Sequence, residues 1–348
     1  MAEAKDEMEK EAVLEAIERV RKSTENSEKA VEDAREAAKE AQNAAMEATS
    51  EADTATQTAA QLQTTNDGLK KEIAEAPETL SRPQGSGEEK NHAMLEQRAL
   101  QAKTRAERIE NRSKKVLEKA REALQVAIVA KGNADEAERL SSWSSSSTKQ
   151  SVRSVNSAAT QATVAALSAE VAAKKAEEIA TKALESAKNA REAATAAYMA
   201  TQAVKQVVTF DKVKIEDNAD GVPLNGEDTS NITAYIALKL KTTAEFANRA
   251  QEDTTSVEKS AAILQDHTRD AERAVENARE RVNDAADSVE YERVLAEQDW
   301  KQLSQGAARS GKNGRALMRN AADASDSPAW VRGVPLLLLS ALALLAAC

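Results

Sequence analysis

The sequence predicts an all-α fold: an elongated up-down bundle of three to four long alanine-rich helices, coiled-coil-like, followed by a C-terminal hydrophobic tail. Three observations on the 348 residues carry this. All five prolines, and every glycine except Gly132, fall outside four long periodic segments. Within those segments apolar residues recur at alternating steps of four and three, the signature of a helical seam. Finally, the chain is 41% hydrophobic but only 2% aromatic, so most of its apolar content is alanine. Alanine favours helix strongly yet buries about one methyl per residue, which builds narrow helical layers rather than a thick core.

The first segment runs over about 2–65. Its stripe reads Val13, Ala16, Val20, then Ala30, Ala34, Ala37, Ala41, Ala44 and Ala48, interrupted at Ser23 and Ser27. Near Glu51 the register slips to Ala52, Ala55, Ala59 and Leu62, a stutter that changes the supercoil locally without ending the helix. Residues 66–89, with Asp67-Gly68, Pro77 and Pro83, read as a break with room for a short helical turn over Leu69–Ala76. The second helix is expected over 90–140, with twelve of thirteen stripe positions from Leu95 to Ala137 fitting. Ser141–Ser147, centred on Trp143, is a tight polar connection.

The third helix, 151–208, is the clearest. Its walk from Val155 to Val208 has sixteen positions, twelve of them alanine and one, Thr201, polar. Beside it runs a second apolar row: Ala158, Ala165, Ala172, Ile179, Ala193, Ala200 and Val207. That face is wider than a two-stranded coil requires and predicts several partners. Residues 209–229 form the next break. The fourth helix, 230–303, has fifteen apolar residues in the twenty positions from Ile236 to Leu303. Four segments of this length contain no constant 20–50-residue period, which disfavours a solenoid. The predicted organisation is a helical bundle over 1–303, a flexible juxtamembrane linker over 304–325 and a terminal propeptide over 326–348.

Composition narrows function before any motif does. A core of alanine offers little for the concave, apolar pocket that enzymes use, so no catalytic residue and no cofactor is expected. A net charge of −10 argues against nucleic acid. One cysteine, Cys348, permits neither a disulfide nor a cysteine metal site within the chain. His92 and His267 lie on different helices and read as solvent-facing or boundary residues.

The C-terminal run Pro335-Leu336-Leu337-Leu338-Leu339-Ser340-Ala341-Leu342 and onward to Cys348 is short for a spanning helix, which takes about twenty residues. Small residues, a spacer of about 8–12 and a tail of about 10–20 match a GPI-attachment signal. Asp323 is the first-choice attachment residue, with Ser325 and Asn320 the others. Met1–Glu7 has no apolar stretch of the kind a secretory signal carries. The GPI reading therefore expects a signal upstream, whereas a tail-anchored intracellular coiled-coil tether takes this N-terminus at face value.

An Ala/Glu-rich, helical, cysteine-poor chain ending in such a tail resembles the alanine-rich GPI-anchored surface proteins of African trypanosomes. Among them the glutamic acid/alanine-rich coat proteins are nearest in style, and the haptoglobin–haemoglobin receptor is a more distant likeness. The resemblance covers composition and architecture over most of the chain, and a motif only over the last twenty-odd residues. It implies a lipid anchor in the outer face of the plasma membrane, and it carries over no binding residue.

Three local patterns invite a sharper chemistry. Glu216, Asn218, Asp220 and Glu227 occupy positions 1, 3, 5 and 12 of a twelve-residue calcium loop, with Gly221 at the turn. Glu at position 1, Pro223 and the lack of a second loop favour instead an acidic turn, with a small hairpin from Phe210, Val213 and Ile215. Gly306–Asn313 matches a phosphate-binding loop except at its last position, where Asn313 stands in place of Ser or Thr, and it follows a helix, not a strand. Asn111-Arg112-Ser113 and Asn231-Ile232-Thr233 are N-glycosylation sequons, the first on an outward helix position and the second at a loop-to-helix junction.

The expectation is a non-enzymatic cell-surface coat glycoprotein, a GPI-anchored rod whose distal loops 66–89 and 209–229 meet host or vector macromolecules. Lateral self-association of such rods is the other expected contact. The alternatives are the intracellular tether, a surface receptor acting through the same loops, and an amphipathic protein that becomes helical only with lipid or on drying.

Overall fold

A computed structural model describes residues 2–75, 86–142, 150–216 and 226–309, and every one of them is helical. In chain order the elements are α1 (Ala2–Glu75), α2 (Ser86–Ser142), α3 (Gln150–Glu216) and α4 (Gly226–Arg309). All four expected helices form; α1 runs past its expected C-terminal end, and the other three run past both of theirs.

The expected break at 66–89 is the largest correction, because α1 continues through Asp67-Gly68 to Glu75. Leu62, Asn66 and Leu69 continue the four-three walk and all three are buried. A polar residue in the seam concealed that continuity from the sequence. Asn66 is fully buried and its Nδ2 donates to the Thr233 carbonyl on α4 at 3.3 Å. The expected hairpin from Phe210, Val213 and Ile215 is likewise replaced by helix, as α3 extends to Glu216. α4 begins at Gly226, and its last residues, Ser304–Arg309, take up the start of the expected linker and of the phosphate-loop-like stretch.

The chain divides into two compact units, and every helix contributes a segment to both. The smaller comprises Met1–Thr24, Lys131–Val164 and Val275–Cys348, and the larger Glu25–Ala130 and Ala165–Ala274. The smaller unit is built on Val13, Ala16 and Val20 of α1, Ala134 and Ala137 of α2, Val152–Ala162 of α3, and Val282 and Ala285 of α4. Its α3 segment starts under Glu292 of α4, whose carboxylate accepts from the Ser151 N–H at 3.1 Å and the Ser151 hydroxyl at 2.6 Å. That carboxylate satisfies a first-turn amide that has no partner within its own helix.

In the larger unit the four helix segments pack antiparallel around a ring. Glu40–Lys119 and Glu47–Arg112 join α1 to α2 at 2.8 and 2.6 Å, seven residues apart on each helix and in opposite directions. Arg121–Glu177 and Glu110–Arg191 join α2 to α3. Asn189 donates to Asp253 between α3 and α4 at 2.8 Å, and Arg35–Glu272 closes α4 against α1. The third helix supplies the interior, and its seam from Val155 to Val204 is buried at every position. The second row is buried too at Ala165, Ala172, Ile179, Ala193 and Ala200, with Ser186 filling its one polar place. Each buried methyl contributes only about 0.8 kcal/mol, so the core depends on length and close approach, with Leu62, Ile179, Ile236 and Val257 as its larger plugs.

Candidate functional site

The residues singled out in the sequence divide by position. Glu216 ends α3 and Glu227 is the second residue of α4, while Asn218 and Asp220 lie outside the described residues. Asn320, Asp323 and Ser325, Trp143 and the hydrophobic tail also lie outside them. Among the described residues no three His, Cys, Asp or Glu side chains are grouped as metal ligands, and no helix is long and apolar enough to cross a membrane. Asn111 is exposed on α2, and so is Asn231, which sits inside α4, five residues past its start, instead of at a junction. His92 and His267 are half-buried boundary residues.

A site that the sequence pattern does not assemble lies in the larger unit, in the groove between α1 and α2. A cavity of about 350 Å³ is lined there by Glu47, Ser50 and Glu51 of α1 and Arg105, Arg108, Ile109 and Arg112 of α2. The spacing on each helix, three and four residues, puts each set on a single face. The seam explains why space is left. Ala44, Ala48, Ala52 and Ala55 are all buried, with two successive steps of four at Ala48 and Ala52. On α2 the facing walk Ala102, Ala106, Ile109, Ser113 and Val116 keeps its regular alternation, and all five are buried. The slip on one helix is not matched on the other. Glu51, which an unslipped register would place in the seam, is drawn to its edge and is only 9% exposed.

Three guanidiniums and two carboxylates face this cavity, but only two ion pairs form. Arg112 holds Glu47 at 2.6 Å, and Arg105 holds Glu51 Oε1 at 3.5 Å. The other Glu51 oxygen, Oε2, is buried without a hydrogen-bond partner. Arg108, one helical turn from both paired arginines, is exposed. Burial pushes the Glu51 carboxyl above its ordinary range; the Arg105 guanidinium opposes the rise and the neighbouring Glu47 adds to it.

Glu110 shows what a completed buried carboxylate looks like in the same helix. It is more deeply buried, at 5% exposed, yet one oxygen is ion-paired with Lys114 and the other with Arg191, each at 2.8 Å. A buried acceptor left unmade costs about 1–3 kcal/mol. Glu51 therefore marks a place where the fold leaves an interaction open. The sequence held a sign of it in the register slip, but only the pairing of α1 with α2 brings the three arginines to that slip.

No family model, curated protein or solved structure matches this chain. Its function must be argued from its own residues.

Proposed function

We propose that this chain is a non-enzymatic surface coat glycoprotein, held to the outer face of the plasma membrane by a GPI anchor. In this reading its helices form the elongated up-down bundle that the alanine seam calls for. The observation that carries the reading is the order of composition after α4. The small residues around Asn320, Asp323 and Ser325 are followed by a polar spacer and the Leu-rich run from Pro335 to Cys348. The buried alanine seam of α3 supports it, because small seam residues allow helices to approach to the near end of the usual ~8–10 Å. A narrow cross-section of that kind favours dense packing on a membrane. The exposed side chains of Asn111 and Asn231 are the glycan acceptors of this proposal. The host- or vector-facing surface is assigned to the connections 76–85 and 217–225, which are shorter than the loops expected from sequence.

The test is phosphatidylinositol-specific phospholipase C applied to intact cells that express the full chain. Release of a soluble, helical form into the medium supports the proposal. Retention on membranes with the helices facing the cytosol would replace it with the tail-anchored tether.

A further inference from the structure

We propose that an N-glycan on Asn231 folds back along α4 over Tyr235 and Leu238 towards Met199 of α3, so that a neutral saccharide carried by the chain itself covers this apolar patch. The inference rests on the secreted, glycosylated reading given above.

The patch is built by spacing. Ala234, Tyr235 and Leu238 follow Asn231 on α4 at offsets of three, four and seven, and all four residues are exposed. Those offsets place them on one outward face. Tyr235 is 43% and Leu238 58% exposed, and the Tyr235 hydroxyl donates to the sulfur of Met199, itself 41% exposed, at 3.9 Å. Asn231 stands one helical turn, about 5.4 Å, from Tyr235.

The surroundings decide what chemistry fits. Although 30% of the chain is charged, Thr54–Asn66 of α1, Ala193–Val204 of α3 and Thr229–Leu238 of α4 contain no charged residue. The three runs meet in the larger unit, where Leu62, Ala200, Val204 and Ile236 share one buried cluster and Asn66 donates to the Thr233 carbonyl. An ion set on such a surface would lose hydration with little counter-charge in return. A sugar of the N-glycan core carries no charge and has an apolar C–H face with hydroxyls at its rim. It suits a tyrosine, whose ring is apolar and whose tip is polar. The Lys239 ammonium, just past the uncharged run, sits over one face of the Tyr235 ring at 5.2 Å from the centroid and leaves the other to the sugar.

Asn111 supplies the internal contrast. At the same offsets it is followed by exposed Lys114, Lys115 and Glu118, a charged face that gives a sugar no apolar floor. In the attachment step the Asn231 amide nitrogen bonds to the anomeric carbon of a sugar linked to a lipid pyrophosphate. The anomeric C–O bond breaks, the lipid pyrophosphate leaves and the amide gives up one proton. Thr233, the third residue of the sequon, is 4% exposed in the folded chain. Transfer therefore precedes the pairing of α4 with α1.

The experiment uses the full chain purified from eukaryotic cells, with occupancy of both sequons read by glycopeptide mass spectrometry. An endoglycosidase is then applied to the folded glycoprotein. Trimming severalfold slower at Asn231 than at Asn111 is expected. Tyr235→Ser, a change at an exposed position, should remove that difference and leave Asn111 as it was, with circular dichroism confirming the variant's helix. The chain has three tyrosines, so the ring signals of tyrosine-labelled protein are few enough to assign. The Tyr235 signal alone should shift between the glycosylated chain and the same chain made in a host that adds no sugar, and it should show nuclear Overhauser contacts to sugar protons. Equal trimming at the two occupied sites, or an unmoved Tyr235 signal, overturns the inference. So does a bare Asn231 beside an occupied Asn111, and each of these results leaves the surface-coat reading standing. No sugar at either sequon removes the glycoprotein reading and this inference with it.

Discussion

Two polar clusters lie two residues apart on α1 and meet opposite fates. On one side of α1, Thr49 donates to Thr254 of α4 at 2.8 Å, and Thr254 in turn reaches the Ala45 carbonyl at 3.1 Å and the Ser186 hydroxyl of α3 at 2.9 Å. The Ser186 hydroxyl also lies 3.0 Å from the Ala250 carbonyl. This three-helix layer is closed, since each hydroxyl has a backbone carbonyl in reach. On the other side Glu51 faces α2 with one oxygen paired and the other left over. A hydroxyl is donor and acceptor at once and completes itself on a helix carbonyl, whereas an ionised carboxylate only accepts and finds no spare N–H among helix backbones. The neutral cluster completes itself within the helices, and the charged one keeps an unpaired acceptor.

Substitutions can break this contrast, and the largest effect lies in the seam that carries both clusters. Ala173→Leu inserts three carbons at a fully buried position in the main core of the larger unit. It should cost about 1–3 kcal/mol in a urea titration, the usual range for overpacking. No loss would mean that α3 does not face its three neighbours there.

Glu51→Met comes next and acts in the opposite direction. Removing a buried, half-paired carboxylate should stabilise the larger unit by about 1–2 kcal/mol at pH 7. The sign follows from linkage. Burial raises the folded-state value above the ordinary glutamate 4.5, so the protonated form is the one that favours folding. The stability this group gives is fully present below about pH 4.5 and is lost as pH rises through the folded-state value. The gain from methionine should accordingly be greatest at neutral pH and shrink on acidification. A pH-independent gain would show that packing, not charge, is responsible.

Thr254→Val keeps shape and removes the hydroxyl at the centre of the closed layer. A cost of about 1 kcal/mol is expected, because Thr49 and Ser186 each retain a carbonyl in reach. Smallest of all is Lys119→Ala, which deletes an exposed pair with Glu40. That pair holds the Lys119 ammonium pKa above its ordinary value, chiefly through the hydrogen bond to Glu40. Its loss should be less than about 1 kcal/mol and should fade with added salt.

Much of this fold was legible in the sequence because alanine repeated at alternating fours and threes makes a buried helical seam and suits little else. The seam of α3, its second row and the number of helices all follow from spacing. What stayed hidden were polar residues inside the seam. Asp67-Gly68 looked like a break, although buried Leu62, Asn66 and Leu69 keep the walk intact across it. Ser23 and Ser27 looked like interruptions and are fully buried. Phe210, Val213 and Ile215 suggested strand by residue type, but α3 continues through them. The candidate site was legible only as a slip near Glu51. Its chemistry depends on which helix lies opposite, and periodicity along one helix holds no information about its neighbour.

A buried alanine seam, not an external surface, holds these helices together. Circular dichroism of the full chain in plain buffer, followed through thermal unfolding, tests this most directly. Helix over about four-fifths of the chain is predicted, lost in a cooperative transition without any lipid present. A coil-like spectrum that turns helical only on drying or on adding vesicles would refute it.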